Sequence, residues 1–364
     1  MTGKLIPFTE GDLDAFRIGT WILGTGGGGD PYFGYLCVRK LLREGKQLSI
    51  MDPADLPDDA MVAAVNQMGS PLPAEERLTD PSTIVRAVRA MEDYVGIRFD
   101  AIMPWEIGGG NAFQPLMAAA VMGLPVVDAD AMGRAFPEAQ MTSFAVMDFK
   151  CYPLVMADIR PNTIIISQAA DWKWLERLRR RVCTEMGAIA ATCNPPRTGL
   201  EVKTGSHLQT ITKALNIGRT VQAARREHAD PVQAVVDLEG GALIFVGKVE
   251  DIERRTTDGY LRGTVTIAGL DFYGGRVLEI DFQNEFSVAS QDGRPLVTVP
   301  DLICTLDTET GEAIGTEVIR YGQRVTVIVL PAPPLLLCDR GIELTGPRAF
   351  GYDIDYQPHL GSQR

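Results

Sequence analysis

Residues 99–130 read FDAIMPWEIGGGNAFQPLMAAAVMGLPVVDAD, and their pattern decides the fold class. FDAIMPW (99–105) is a short apolar run suited to a buried strand. A glycine run follows, then a helix from Phe113 to Met122 ended by Gly123, then a second strand, LPVVDAD (124–130). Two strands joined through a helix lie parallel in one sheet. Working backwards, AMVAAVNQM (60–68) and QLSIMD (47–52) are further strands, bounded by Gly69, Pro57 and Pro53, and Ser82–Tyr94 is a helix between strands. NTIIIS (162–167) joins this sheet or opens the crossover out of it.

Further back, Thr9 to Leu23 has helical spacing through Leu13, Phe16, Thr20 and Trp21, with Thr9 as cap. Gly24-Thr-Gly-Gly-Gly-Gly29 follows, then Asp30-Pro31, a cap and first-turn proline that open a second helix to about Arg43. From Asp171 onward the pattern changes. Helices at Trp172–Met186 and Ser206–Arg226 precede alternating segments such as ALIFVGKVEDIER, RGTVTIAGL, RVLEIDFQNEFSVAS, LVTVPDLICTL and RVTVIVLP. The expected architecture is an α/β N-terminal domain with a mostly parallel sheet (1–168), then a helix-preceded β-rich domain (169–364).

The 364 residues suit two domains and a sizeable core. Against 35 Lys and Arg stand 47 Asp and Glu, a net charge of −12, which argues against nucleic acid or anionic lipid as the main partner. Six scattered cysteines without a CxxC read as reduced thiols. The first residues, MTGKLIPFTEGD, lack a signal-peptide pattern, and the uncharged run 107–127 is broken by Gly and Pro, so a cytoplasmic location is expected. The acidic surface and long β region suit a homo-oligomer.

Three stretches carry candidate chemistry. Gly24-x-Gly26-x-x-Gly29, with Asp52 beyond it, matches a dinucleotide fingerprint in form. Two features oppose that reading: the preceding segment looks helical, and the Asp30 carboxylate would occupy the helix N-terminus that a pyrophosphate needs. Instead, the backbone of Gly26, Gly27, Gly28 and Gly29, with Asp30, can line a small-molecule pocket. In the second stretch, Glu106 sits beyond a strand end as a candidate general acid or base, and Gly109, Gly110 and Asn111 are candidate ligand contacts. In the third, Asp128 and Asp130, two apart in extended chain, point the same way and could divide acid and base roles or hold a metal with His207. Arg134 offers a planar donor fork, or pairs with Glu138 at helical spacing. Cys193, His207 and the Trp172–Trp174 pair read more simply as packing residues, and Arg177 with Arg179–Arg181 as a solvated or interface face.

Gly24–Gly29 with Asp30-Pro31-Tyr32, Gly108-Gly-Gly-Asn111, and the Asp128-Ala-Asp-Ala-Met-Gly-Arg134-Ala-Phe-Pro-Glu138 string resemble the S-methyl thiohydantoin desulfurase family. That family is a former domain of unknown function associated with hydantoinase and oxoprolinase systems. Ala131 departs from the glycine expected there. The resemblance spans the chain and implies an α/β domain followed by a β-rich one. It also implies a hydrolase-type reaction in which water displaces methanethiol from the ring carbon and leaves a hydantoin. On that reading Glu106 or Asp128 activates water, Asp130 supplies a second acid, the glycine loops stabilise charge, and Arg134 orients the ring or a pendant carboxylate. The substrate is a small molecule; no cofactor is required, and the metal question stays open. Two alternatives stand beside it: a non-catalytic partner of a hydantoinase-like enzyme, and a dinucleotide-binding oxidoreductase.

Overall fold

The strands β1 (Leu5–Pro7), β2 (Ser49–Met51), β3 (Met61–Gly69), β4 (Ala101–Pro104) and β5 (Val126–Val127) begin a sheet that separates two apolar cores. Successive strand side chains point to opposite faces. Accordingly, Ala63, Val65 and Ile102 enter one core, while Val62, Ala64, Ala101 and Met103 enter the other. The structure, a computed structural model, describes residues 4–69 and 80–359.

Helices α1 (Leu13–Leu23), α2 (Pro31–Arg43), α3 (Pro81–Val95) and α4 (Phe113–Met122) fill the first core, each close to its expected limits. The Asp30 carboxylate accepts the Tyr32 amide at 2.7 Å, capping α2 as the Asp-Pro pair predicts. Because α1, not a strand, runs into Gly24, and Asp30 caps α2 itself, the dinucleotide reading is set aside.

The sheet is completed by β7 (Leu154–Ala157), β8 (Thr163–Ile166), β9 (Ile189–Cys193) and β10 (Arg197–Thr198), while β6 (Ala129–Asp130) pairs with β11 (His207–Leu208) outside it. Its order is β1-β2-β5-β4-β3-β9-β7-β8, with β10 also on β3. The β2, β5, β4 and β3 pairings are parallel, but β1, β8, β9 and β10 all run against their neighbours. The sheet is therefore mixed rather than mostly parallel. Helical crossovers end at residue 130; a one-turn helix, α5 (Ser143–Val146), and loops lead to β7, and β9 then inserts antiparallel between β3 and β7. The helix α6 (Trp172–Glu185) covers the second core. Residues beyond 168, in β9 and β10, also contribute to the first sheet.

A short helix, α7 (Gly199–Gly205), precedes β11. The helix expected from Ser206 starts later, as α8 (Thr210–Glu227), because Gln209 takes a left-handed conformation (φ 59°) and its amide bonds Asp128 O. Helix α9 (Pro231–Glu239) leads to an antiparallel sheet of β12 (Ala242–Thr257), β13 (Tyr260–Gly269), β14 (Val277–Gln283), β15 (Glu285–Gln291), β16 (Arg294–Thr298), β17 (Leu302–Asp307) and β18 (Arg324–Leu330). Its order, β16-β15-β14-β13-β12-β18-β17, curls until β15 meets β17 around a third core. A last helix, α10 (Asp339–Thr345), packs near α5. No helix among the described residues is long and apolar enough to cross a membrane.

The two units are joined by α1 and α8, which cross at van der Waals contact. A Cβ on Gly19 would lie 1.8 Å from Ala214 O, and one on Gly218 would lie 1.8 Å from Ala15 O. Both sites therefore require glycine. Substituting Gly19→Val or Gly218→Val should cost at least about 1–3 kcal/mol by forcing these helices apart. Urea unfolding midpoints check this, and an unchanged midpoint would refute the close crossing.

Candidate active site

One cavity of about 450 Å³ gathers parts of all three sequence stretches. Gly28, Gly29 and Asp30 come from the first, Glu106, Gly110 and Asn111 from the second, and Met132, Phe136 and Pro137 from the third. The first two are held backbone to backbone. The Gly110 amide donates to Gly29 O at 2.7 Å, and the Asn111 amide to Gly28 O at 3.2 Å.

The β-rich unit closes the cavity from the other side. The Phe286 amide donates to Thr25 O at 2.9 Å and the Thr316 amide to Gly26 O at 2.7 Å, so the glycine loop threads between the two units. This brings Glu285 against the loop, where its Oε1 accepts the Gly28 amide at 3.1 Å. A Cβ on Gly27 would lie 2.2 Å from that same Oε1. The bare backbone at Gly27 is the space into which Glu285 fits.

Glu106 and Glu285 are both buried on the cavity wall. Asn111 fixes Glu106: its Oδ1 accepts the Gln67 amide at 2.8 Å, and its Nδ2 donates to Glu106 Oε1 at 2.6 Å. Burial, and then the nearby charge of Glu285, hold the Glu106 carboxyl well above the usual carboxylate range, against the pull of the Asn111 hydrogen bond. Burial pushes Glu285 up to about 8, against the attraction of the Arg134 charge and the Gly28 amide. The Oε2 atom of each is buried without a hydrogen-bond partner among the described residues. A pair of coupled acids with two uncommitted oxygens can hold one proton between them, as acid and base.

Other expected site residues lie elsewhere. Asp128 is spent on the start of α8: its Oδ1 accepts the Ile211 amide at 2.7 Å and the Thr212 amide at 3.1 Å, and Oδ2 takes the Thr212 hydroxyl. Asp130 Oδ2 accepts the amides of Ile107, Met132 and Gly133 at 2.8–3.0 Å, tying the second stretch to the third, and burial raises this carboxyl to about 7. Arg134, fully buried, donates to the backbone and to Thr25 rather than facing the cavity, and does not pair with Glu138. Gly26, Gly27 and Gly109 support the wall from behind. Burial raises the Cys193 thiol, the wrong direction for a nucleophile, and lowers His207 to about 3, which keeps it neutral. No group of three or more His, Cys, Asp or Glu among the described residues is placed to hold a metal, so Asp128, Asp130 and His207 do not form such a site.

Glu285, Arg179 and Arg180 line the cavity but escaped the sequence reading. Glu285 sits inside the alternating segment RVLEIDFQNEFSVAS, where it passes for an ordinary polar position. Arg179 and Arg180 passed for a solvated face, yet Trp172, Leu175, Glu176, Arg179, Arg180 and Cys183 fall at helical spacing on the buried stripe of α6. That periodicity was the available signal.

Comparison with known proteins agrees with this architecture. The family described as S-Me-THD-like, N-terminal domain matches residues 11–168, and S-Me-THD-like, C-terminal domain matches residues 170–359. No curated protein matches the chain. A crystal structure of a protein from Chromobacterium violaceum is similar, with a TM-score of 0.80 and 21% identity over 97% of this chain and 100% of that one, which speaks for the shared fold. With both domain families matched in order across 11–359, the chain belongs to the S-Me-THD-like family.

Proposed function

We propose that this protein hydrolyses S-methyl thiohydantoin-type rings to the hydantoin and methanethiol, with Glu106 and Glu285 as its acid–base pair. The observation that carries this reading is the pair itself. Two buried, mutually repelling carboxyls face one cavity, each with an uncommitted oxygen.

The ring carbon bearing the methylthio group is amidine-like, so attack by water is aided when the ring nitrogen gains a proton as the carbon–oxygen bond forms. Glu285 lies near the Arg134 charge and ionises first; Glu106 has no cation beside it and keeps its proton. Asn111 donates to Glu106 Oε1, leaving Oε2 to carry that proton towards the substrate. Glu285 takes a proton from water as its oxygen adds to the ring carbon, and Glu106 protonates the ring nitrogen. On collapse the carbon–sulfur bond breaks. The new hydroxyl returns its proton to Glu106, Glu285 delivers its proton to the departing methanethiolate, and the pair regains its starting state. Gly28, Gly29 and Gly110 let the flat ring approach the backbone closely.

Replacing Glu106→Gln or Glu285→Gln should each lower kcat by about a hundredfold or more, read as methanethiol release from a purified chain. Wild-type rates in both variants would eliminate the pair, and a wild-type chain without turnover that co-purifies with a hydantoinase would favour the non-catalytic partner reading.

The dependence of kcat/KM on pH should be bell-shaped, with its acid limb displaced above the ordinary carboxylate range. Glu285→Gln should remove that limb; a limb at pH 4–5 would contradict the assignment. Stability carries the same signature. Unfolded Glu285 ionises near 4.5, whereas the folded chain keeps the proton to about 8, so stability present below 4.5 is lost as pH rises between these values. Glu285→Gln should therefore gain at least about 1 kcal/mol over wild type at pH 8 relative to pH 4.5, measured by denaturant unfolding at each pH.

A further inference from the structure

The buried stripe of α6 that faces the cavity carries two arginines against one carboxylate. Glu176 stands between two arginines, accepting Arg179 Nε at 2.6 Å and Arg180 Nε at 2.9 Å, together with the Ala139 amide at 2.9 Å and the Tyr260 hydroxyl at 3.0 Å. One carboxylate against two guanidinium groups leaves one unit of positive charge. Arg180 is committed elsewhere: it donates to Pro137 O at 2.7 Å and lies 4.3 Å over the Tyr260 ring. Arg179 is not. It is 3% exposed, it lines the cavity, and its Nη1 is buried without a hydrogen-bond partner among the described residues.

We propose that Arg179 is the anion anchor of this cavity, and that the natural ligand carries a carboxylate on its ring substituent which pairs with the guanidinium at Nη1. The surplus of one charge fits a monoanion better than a phosphate, and the planar fork suits a carboxylate. The two ends of the cavity are linked through one dipeptide. Phe136 lines the cavity with Glu106, and the next residue, Pro137, accepts from Arg180. A ring over the glutamate pair therefore places its substituent towards α6. Glu106 keeps its proton and Glu285, once ionised, is matched by the Arg134 charge, so the pair leaves the Arg179 charge uncancelled. Asp30 and Glu317 also stand on the cavity wall, Asp30 with one oxygen capping α2.

The anchor rests on the reading of this cavity as the ring-binding site, and equilibrium binding tests it without turnover. Calorimetric titration of the full chain with hydantoin-5-acetic acid and with its neutral amide should show at least tenfold tighter binding of the acid. Arg179→Met should abolish that preference while leaving affinity for the amide unchanged. Glu176 in that variant keeps Arg180, Tyr260 and Ala139, so the helix retains its buried contacts. Arg179→Lys, which retains charge without the fork, should keep part of the preference. Equal binding of acid and amide by wild type, or equal weakening of both by Arg179→Met, would overturn the anchor. Preference for the acid without any methanethiol release from methylthio rings would uphold the anchor and remove the proposed reaction. Turnover of methylthio rings without acid preference would do the reverse.

Discussion

The guanidinium of Arg134 is sealed from solvent, and its hydrogen bonds reach segments far apart in the chain. It donates to Asp301 O at 2.8 Å, to Thr25 Oγ1 at 2.6 Å, to Phe286 O at 3.3 Å and to its neighbour Ala135 O at 3.0 Å, while its face lies 4.4 Å over the Phe136 ring. Three of these partners belong to the glycine loop and the β-rich unit. A buried cation requires such compensation, since each unmet donor or uncovered charge is costly. Burial lowers even this arginine to about 10. Arg134 thus ties the two units together beside the α1–α8 crossing and the backbone bonds of the glycine loop.

The site follows from that junction. Phe286 is fixed to both Arg134 and Thr25, so Glu285, one residue earlier, is carried into the space left by Gly27. Arg134 also supplies the positive charge that favours ionisation of Glu285 over Glu106. Asp130 acts on the other side, collecting the amides of Ile107, Met132 and Gly133 so that the loop bearing Glu106 and the loop bearing Phe136 move as one. In this arrangement the surrounding hydrogen bonds fix the cavity's geometry, and Glu106 and Glu285 each keep one carboxyl oxygen on its wall without a hydrogen-bond partner among the described residues.

How much of this was legible depended on the range of each interaction. The parallel strands β2 to β5 and helices α1 to α4 follow from local periodicity, caps and glycine stops, all of which act within one element. The flanking β9 and β10 did not, because antiparallel pairing with β3 joins residues more than a hundred positions apart and leaves no local mark. Asp128 and Asp130 illustrate the same limit. Their spacing indicated two inward carboxylates, and both are buried, but the amides that consume them at Ile211, Thr212 and Ile107 lie outside the motif. Glu106 and Asn111 were each readable as candidates on one loop. The counterpart of Glu106, Glu285, opens β15 nearly 180 residues on, and only the folded chain brings the two to one cavity.

The account turns on a proton that burial and mutual repulsion keep on the glutamate pair at neutral pH. Infrared difference spectra of wild type against Glu106→Gln and Glu285→Gln at pH 7 measure it directly. The account predicts a protonated-carboxyl carbonyl band in wild type that shifts or disappears in each variant. Spectra showing both carboxyls fully ionised at pH 7 would contradict it.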